Sequence, residues 1–258
     1  MSYAHSQDRD ADRFAHQAAA TATSRYGTGD GSSGLGDARQ PGEPTVFLRP
    51  LASPVALGFG GLAVATLMLS AYQLGWVPPS EVHQVAWALV LFAAPVELVA
   101  SVFGFLDRDT VIGTGMGLQA AAWLLAGVEM LHTAPGQRSA ALGLFFFVAA
   151  AALVPSVLTA GMSKGVAAGV MATTSLRWVM TGVYERLGDH PWKWVAGWTG
   201  VALCAVALYG AIAMELEDQR RKTVLPTLRW GKGRQAMNGD FSAQVARVRH
   251  EAGVREQL

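Results

Sequence analysis

Six apolar stretches occupy residues 54–77, 84–106, 110–131, 140–162, 165–184 and 195–214. Each holds about 20 residues, which at 1.5 Å of rise per residue crosses a hydrocarbon core about 30 Å thick. Backbone amides find no water at that depth, so only helices or closed barrels can span it. The stretches lack the apolar–polar alternation of barrel strands. They therefore predict an all-α integral membrane protein, a bundle of six transmembrane helices whose short connections make neighbours antiparallel. Only 15% of the 258 residues are charged and 51% are hydrophobic. A soluble domain carries about 25% charged residues, so the deficit points the same way.

The flanks read differently. Residues 1–48 are polar and small, with a Gly- and Ser-rich run at 27–36, and predict a disordered N-terminal segment with too little apolar surface to offset ordering entropy. Residues 49–228 form the membrane domain, and residues 229–258 a tail with a short helix at about 240–250. Asp240 can cap that helix, with Phe241, Val245 and Val248 on one face. Lys and Arg set the orientation. With the N-terminus inside, Arg39, Arg49, Arg108, Lys164 and the basic run after Gln219 are cytoplasmic, against Arg138, Arg186 and Lys193 outside. That bias predicts a multi-pass protein of the cell membrane with both termini cytoplasmic. Trp76, Trp192, Trp194 and Tyr184 then fall at the outer interface.

Several function classes find no support. The net charge is +1, with no dense basic patch, so no nucleic-acid partner is expected. His83, His132 and His190 lie in loops at unrelated spacings and form no metal pattern. No phosphate-cradling Gly-rich loop carries Lys and Ser or Thr, so ATP-driven pumping by this chain alone is not expected. The residues predict no enzyme, no cofactor and no metal. Cys204 reads as a small packing residue. Gly161, Gly165 and Gly169, and likewise Gly113 and Gly117, are spaced by four and predict close helix approach.

Two charges sit deep in the apolar stretches: Glu97 and Arg177. An ionisable group in hydrocarbon costs at least about 2.5–3.5 kcal/mol, so it marks a pathway, a pair or a binding site. Pro95, two positions before Glu97, should kink the second helix. Counted from opposite membrane faces, the two charges lie within about 6 Å of the same depth. They can pair and neutralise each other, or face a subunit interface. Glu129 is expected at the outer interface, Pro155 should kink the fourth helix, and Trp123 and Trp178 read as bulk.

Four motifs carry a resemblance. Ser53-Pro54-Val55-Ala56-Leu57-Gly58-Phe59 opens the first span and resembles Asn-Pro-Ala-Pro-Leu-Gly-Leu. Gly161-Met162-Ser163-Lys164-Gly165 is similar to Gly-Thr-Leu-Lys-Gly, Ala196-Gly197-Trp198-Thr199-Gly200 to Ala-Gly-Trp-Ile-Gly, and Thr223-Val224-Leu225-Pro226 to Thr-Val-Leu-Pro. In order and spacing, over roughly residues 50–228, they resemble the acetate uptake transporter family, also called the succinate–acetate permease or GPR1/FUN34/YaaH family. The resemblance implies six-helix protomers, commonly hexameric, each with a path for acetate or a related short carboxylate, often linked to protons. It places Ser53, Pro54 and Leu57 at the start of that path and a constriction at Leu62, Gln119 and Leu176. Glu97 stands where the family carries Gln, and Arg177 where it carries a small or apolar residue.

On that reading Arg177 attracts a carboxylate beside Leu176, and Glu97 takes up and releases a proton. Two alternatives stay open. The path can pass a different small solute, or the chain can be a non-transporting membrane scaffold whose old route is plugged by a Glu97–Arg177 pair.

Overall fold

The computed structural model describes residues 51–220, 222–231 and 233–234. The predicted N-terminal segment and the predicted helix at 240–250 lie outside the described residues. The described chain is helical, with no strand: α1 (Val55–Leu74), α2 (Val82–Ala88), α3 (Ala94–Leu106), α4 (Thr110–His132), α5 (Ala140–Gly161), α6 (Gly165–Leu187) and α7 (His190–Arg220). A 3-10 turn at Pro79–Glu81 leads into α2, and a π-helical turn at Leu89–Ala93 joins α2 to α3, making one long second helix. Five helices are long and apolar enough to cross a membrane; α6 has the length, but its Thr, Ser and Arg residues lower its hydropathy.

Local chemistry sets the ends. α1 stops at Gly75, whose φ of 77° lets Trp76 N–H reach back to the Ala71 carbonyl. That left-handed turn is the usual glycine stop. Asp109 and Ser139 cap α4 and α5 by accepting from the amides of Ile112 (3.3 Å) and Leu142 (3.2 Å). Pro95 has no N–H for the Leu91 carbonyl, and its ring would crowd that oxygen. The irregularity expected there takes the form of the π turn immediately upstream, which widens the backbone where the proline needs room. α5 stays helical through Pro155.

The helix neighbours are α1 with α7, α5 with α6, α3 with α4, and α6 with α7. Small residues allow close contact at particular crossings. A Cβ on Gly104 would meet the Gly113 backbone, and Ser101 Oγ donates to the Gly113 carbonyl at 2.6 Å. Gly117 packs on Ser101, whereas a Cβ at Gly161 or Gly169 would meet nothing among the described residues.

The exterior is apolar, with Leu91, Leu98, Leu144, Val148, Leu158 and Ile212 exposed. The interior is mostly apolar as well, but it houses Thr66, Ser70, Gln73, Glu97, Gln119 and Arg177. An apolar exterior is what a lipid solvent favours. At one end, Trp198 meets Trp76 and Trp194 edge-on, with centroids at 6.0 and 5.8 Å.

At the other end a strap crosses the α5–α6 turn. The Gly165 amide donates to the Leu228 carbonyl (2.8 Å) and the Trp230 amide to Ser163 (3.2 Å). The Gly161–Gly165 motif is thus held by the segment that follows the Thr223–Pro226 motif. Buried Glu217 anchors the strap, pairing with Arg229 at 2.6 Å and accepting from Thr227 at 3.1 Å. Lys164 also pairs with Asp109, tying this turn to the start of α4. Burial raises the Asp107 carboxyl above its ordinary value, Asp109 adds to the effect, and Lys164 opposes it. Glu217→Ala strands the Arg229 charge and the Thr227 hydroxyl. It should cost about 2–3 kcal/mol, the scale of hydrogen bonds to charged groups, and lower the thermal midpoint in detergent. An unchanged midpoint would show that the strap is held by other contacts.

Candidate functional site

Arg177 is completely buried where α6 meets α1 and α7. Its Nη1 donates to Ser70 Oγ (2.9 Å) and to the Ala196 carbonyl (3.1 Å). Ser70 in turn donates to the Thr66 carbonyl (2.6 Å), and Thr66 Oγ1 to the Gly200 carbonyl (3.3 Å). A Cβ at Gly200 would run into the guanidinium and into Ser70 Oγ, so only glycine leaves the space. The Ala196–Gly200 motif is therefore the floor on which the arginine lies.

The other edge of the guanidinium is bare. Nε and Nη2 are buried and have no hydrogen-bond partner. These two N–H groups point the same way, the fork that fits both oxygens of a carboxylate.

One turn beyond Arg177 on α6 stands Thr181, and three residues beyond Ser70 on α1 stands Gln73. Both are buried, and Thr181 Oγ1 and Gln73 Oε1 have no partner. They belong to the lining of a small vestibule between α1, α4, α5 and α6, about 50 Å³ in volume. Tyr72, Glu129, Tyr184 and Glu185 form polar parts of its wall, and Leu69 and Phe146 apolar ones. Its lining ends at Gln73 and Thr181, a turn short of Arg177. Glu129 belongs to this wall, beside Thr133, Gly136 and Ser139 of the following loop.

Glu97 forms a second buried centre. Its Oε1 accepts from Trp123 Nε1 at 3.0 Å, and its Oε2 has no partner. Trp123, read from sequence as bulk, is thus its hydrogen-bond donor. Gln119, one turn before Trp123, donates to Met171 Sδ (3.3 Å) and leaves its own Oε1 bare.

The Glu97–Arg177 pair is not formed. Neither Arg177 nitrogen edge reaches a Glu97 oxygen; the ion pairs among the described residues are Lys164–Asp109 and Arg229–Glu217. The reason lies in α1. Glu97 packs against Gly61, whereas Arg177 bonds Ser70, nine residues further along. Nine residues span about 13 Å of rise and half a revolution, so the charges address opposite faces of α1 at different depths. The expectation of matched depth fails because the second helix begins at Pro79, earlier than residue 84, and carries Glu97 further from that end. A plug made of this pair is thereby excluded for this structure.

The inferred constriction is not assembled within the protomer either. Leu62 and Gln119 are fully buried, but Leu176 is 50% exposed on the outside of the bundle. Adjacent positions on a helix point about 100° apart, so burying Arg177 turns Leu176 outward. At the path's expected start, Pro54 is buried while Ser53 and Leu57 are exposed.

A comparison with family models and with curated proteins gives no match. The solved structure of the bacterial acetate channel SatP matches with a TM-score of 0.62, covering 69% of this chain and 99% of that one at 20% identity. The chain shares its fold with that channel. At such identity the likeness is one of architecture, and it fits the membrane character read from the helices. The Arg177 cradle and the Glu97–Trp123 bond stand on this chain's own geometry.

Sequence reasoning found the two charges but missed Thr66, Ser70, Gln73 and Thr181. A signal was there. Thr66, Ser70 and Gln73, and likewise Thr174, Arg177 and Thr181, recur every three or four residues, a polar stripe on each of two helices of a lipid-facing bundle.

Proposed function

We infer that the chain is a membrane channel or transporter for a small carboxylate, acetate or a relative of it, with proton movement linked to flux. The observation that carries this reading is the bare Nε–Nη2 edge of Arg177, a buried cation without a counter-ion one turn beneath a polar vestibule. A carboxylate seated there supplies the missing charge and both missing acceptors. The channel fold supports the same reading. Gln73 and Thr181 form the barrier between vestibule and arginine, and passage requires them to part.

Glu97 is the proton carrier of this scheme: its bare Oε2 is the atom that takes the proton, and Trp123 holds the other oxygen. Six helices span the membrane with both termini cytoplasmic, so the vestibule opens outward and the strap lies inside. The chain assembles as a homo-oligomer, a hexamer by the family resemblance. Leu176, Gly161 and Gly169 then face lipid or a second copy.

The test is uptake of labelled acetate into proteoliposomes containing a pH-sensitive dye. Wild-type protein should acidify the lumen as acetate enters, with uptake rising as the outside is made more acid. Glu97→Gln should keep the fold and lose that pH dependence. Equal pH dependence in both proteins would remove Glu97 from the mechanism, and no acetate uptake by folded wild type would overturn the reading itself.

A further inference from the structure

The vestibule is chemically odd as an antechamber for a simple anion. Two carboxylates, Glu129 from α4 and Glu185 from α6, stand on its wall. Glu185 Oε2 accepts from the Ser139 amide at 2.9 Å. Neither carboxylate has an ion-pair partner among the described residues. Of the cations near the mouth, Lys193 lies 5.2 Å from the centroid of the Tyr72 ring, and Arg138, packed against the Gly188 backbone, offsets part of the Glu185 charge. An approaching acetate meets two carboxylates that one guanidinium only partly compensates, and the excess of like charge repels it in a cleft of reduced dielectric.

The floor adds a second, independent observation. Gln73 Oε1 and Thr181 Oγ1 are buried, unpartnered and part of the vestibule. Gln73 Oε1 can only accept, Thr181 Oγ1 can accept or donate, and a buried acceptor without a donor is costly. An alkyl carboxylate carries no donor for Gln73 Oε1. A primary ammonium carries three, and it is also what two wall carboxylates attract.

We propose that the carboxylate this path selects is a small zwitterionic amino acid, its carboxylate directed to the Arg177 fork and its ammonium to Gln73, Thr181 and the Glu129–Glu185 wall. This deepens the carboxylate reading above and rests on it. Thr181 stands one turn, about 6 Å, from Arg177 along α6, and Gln73 about 4.5 Å beyond Ser70 along α1. These backbone offsets are of the order spanned by a carboxylate and an ammonium joined through one or two carbons. A substrate longer than that places its ammonium at the wall carboxylates instead. Uncharged tails gain nothing from this wall, and a second carboxylate is repelled by it.

The experiment uses the full chain in proteoliposomes, with labelled glycine, β-alanine and acetate supplied separately at one pH. Glycine or β-alanine uptake should exceed acetate uptake in wild type. The double variant Glu129→Gln, Glu185→Gln should lower the ratio of amino acid to acetate uptake at least tenfold. Thr181→Val should lower it too, and Thr181→Ser, which keeps the hydroxyl, should restore it. Size-exclusion profiles establish that each variant is folded. Acetate uptake without amino acid uptake would overturn the zwitterion and leave the carboxylate path standing. Amino acid uptake with an unchanged ratio in the double variant would overturn the assignment of the ammonium to the wall. Uptake of none of the three by folded wild type would overturn the carboxylate path, and the zwitterion with it.

Discussion

Arg177→Leu should abolish carboxylate flux in proteoliposomes while leaving the protein folded. The bidentate fork offers two charge-assisted hydrogen bonds to a desolvated carboxylate. Losing them removes about 3 kcal/mol of substrate stabilisation, which is about a hundredfold in flux. Stability should move the other way or not at all. The guanidinium is buried with two hydrogen bonds and no counter-ion, and replacing such a charge with an apolar side chain is often neutral or stabilising. The pairing of lost flux with an unchanged or raised thermal midpoint separates this role from a structural one. An arginine that merely held α6 against α1 and α7 would lose both together. Arg177→Lys is the sharper companion, since it keeps the charge but not the fork, and it should recover only part of the flux.

Gly200→Ala should strongly destabilise the bundle. The new Cβ would overlap the Arg177 guanidinium and the Ser70 hydroxyl at once. Surface arginines swing aside at little cost, but this one is closed in by α1, α6 and α7. Overpacking of a tight interior costs about 1–3 kcal/mol, and displacing the guanidinium from Ser70 and Ala196 adds the cost of unpaired buried donors. A loss of about 4 kcal/mol is expected, read as a lower thermal midpoint and poor recovery from the membrane. The cause can be checked by coupling. In an Arg177→Leu background the shorter side chain vacates the space, so Gly200→Ala should cost markedly less there. Equal losses in both backgrounds would show that the methyl group harms the α1–α7 contact and not the arginine.

Both predictions rest on positions that the sequence marked in different ways. Arg177 was visible because charge in a long apolar run is costly. Gly200 was visible only as the last residue of a motif, with no reason attached to it; the reason is the guanidinium lying on it. Glu97 was equally visible, yet its partner was misread. Trp123 looked like filler because an indole in an apolar helix fits the core by size alone, and its N–H finds Glu97 only once α3 and α4 are packed. Leu176 shows the opposite error. Its place beside Arg177 suggested a shared pathway, but adjacent helical positions diverge, and burying one exposes the other.

Residue order alone dictates long helices suited to lipid, roughly where they begin and end, and two charges that must be housed among them. Those are consequences of length, hydropathy and the cost of unsatisfied backbone, all of which act along the chain. Which face of α1 each charge meets, that they stay apart, that Gln73, Thr181, Glu129 and Glu185 share one vestibule, and that Gly200 must have no side chain were decided only by tertiary structure. Those outcomes depend on the rotation and axial offset of each helix against its neighbours. One residue of offset turns a side chain by about 100° and shifts it by 1.5 Å, and nothing in a single helix specifies that number.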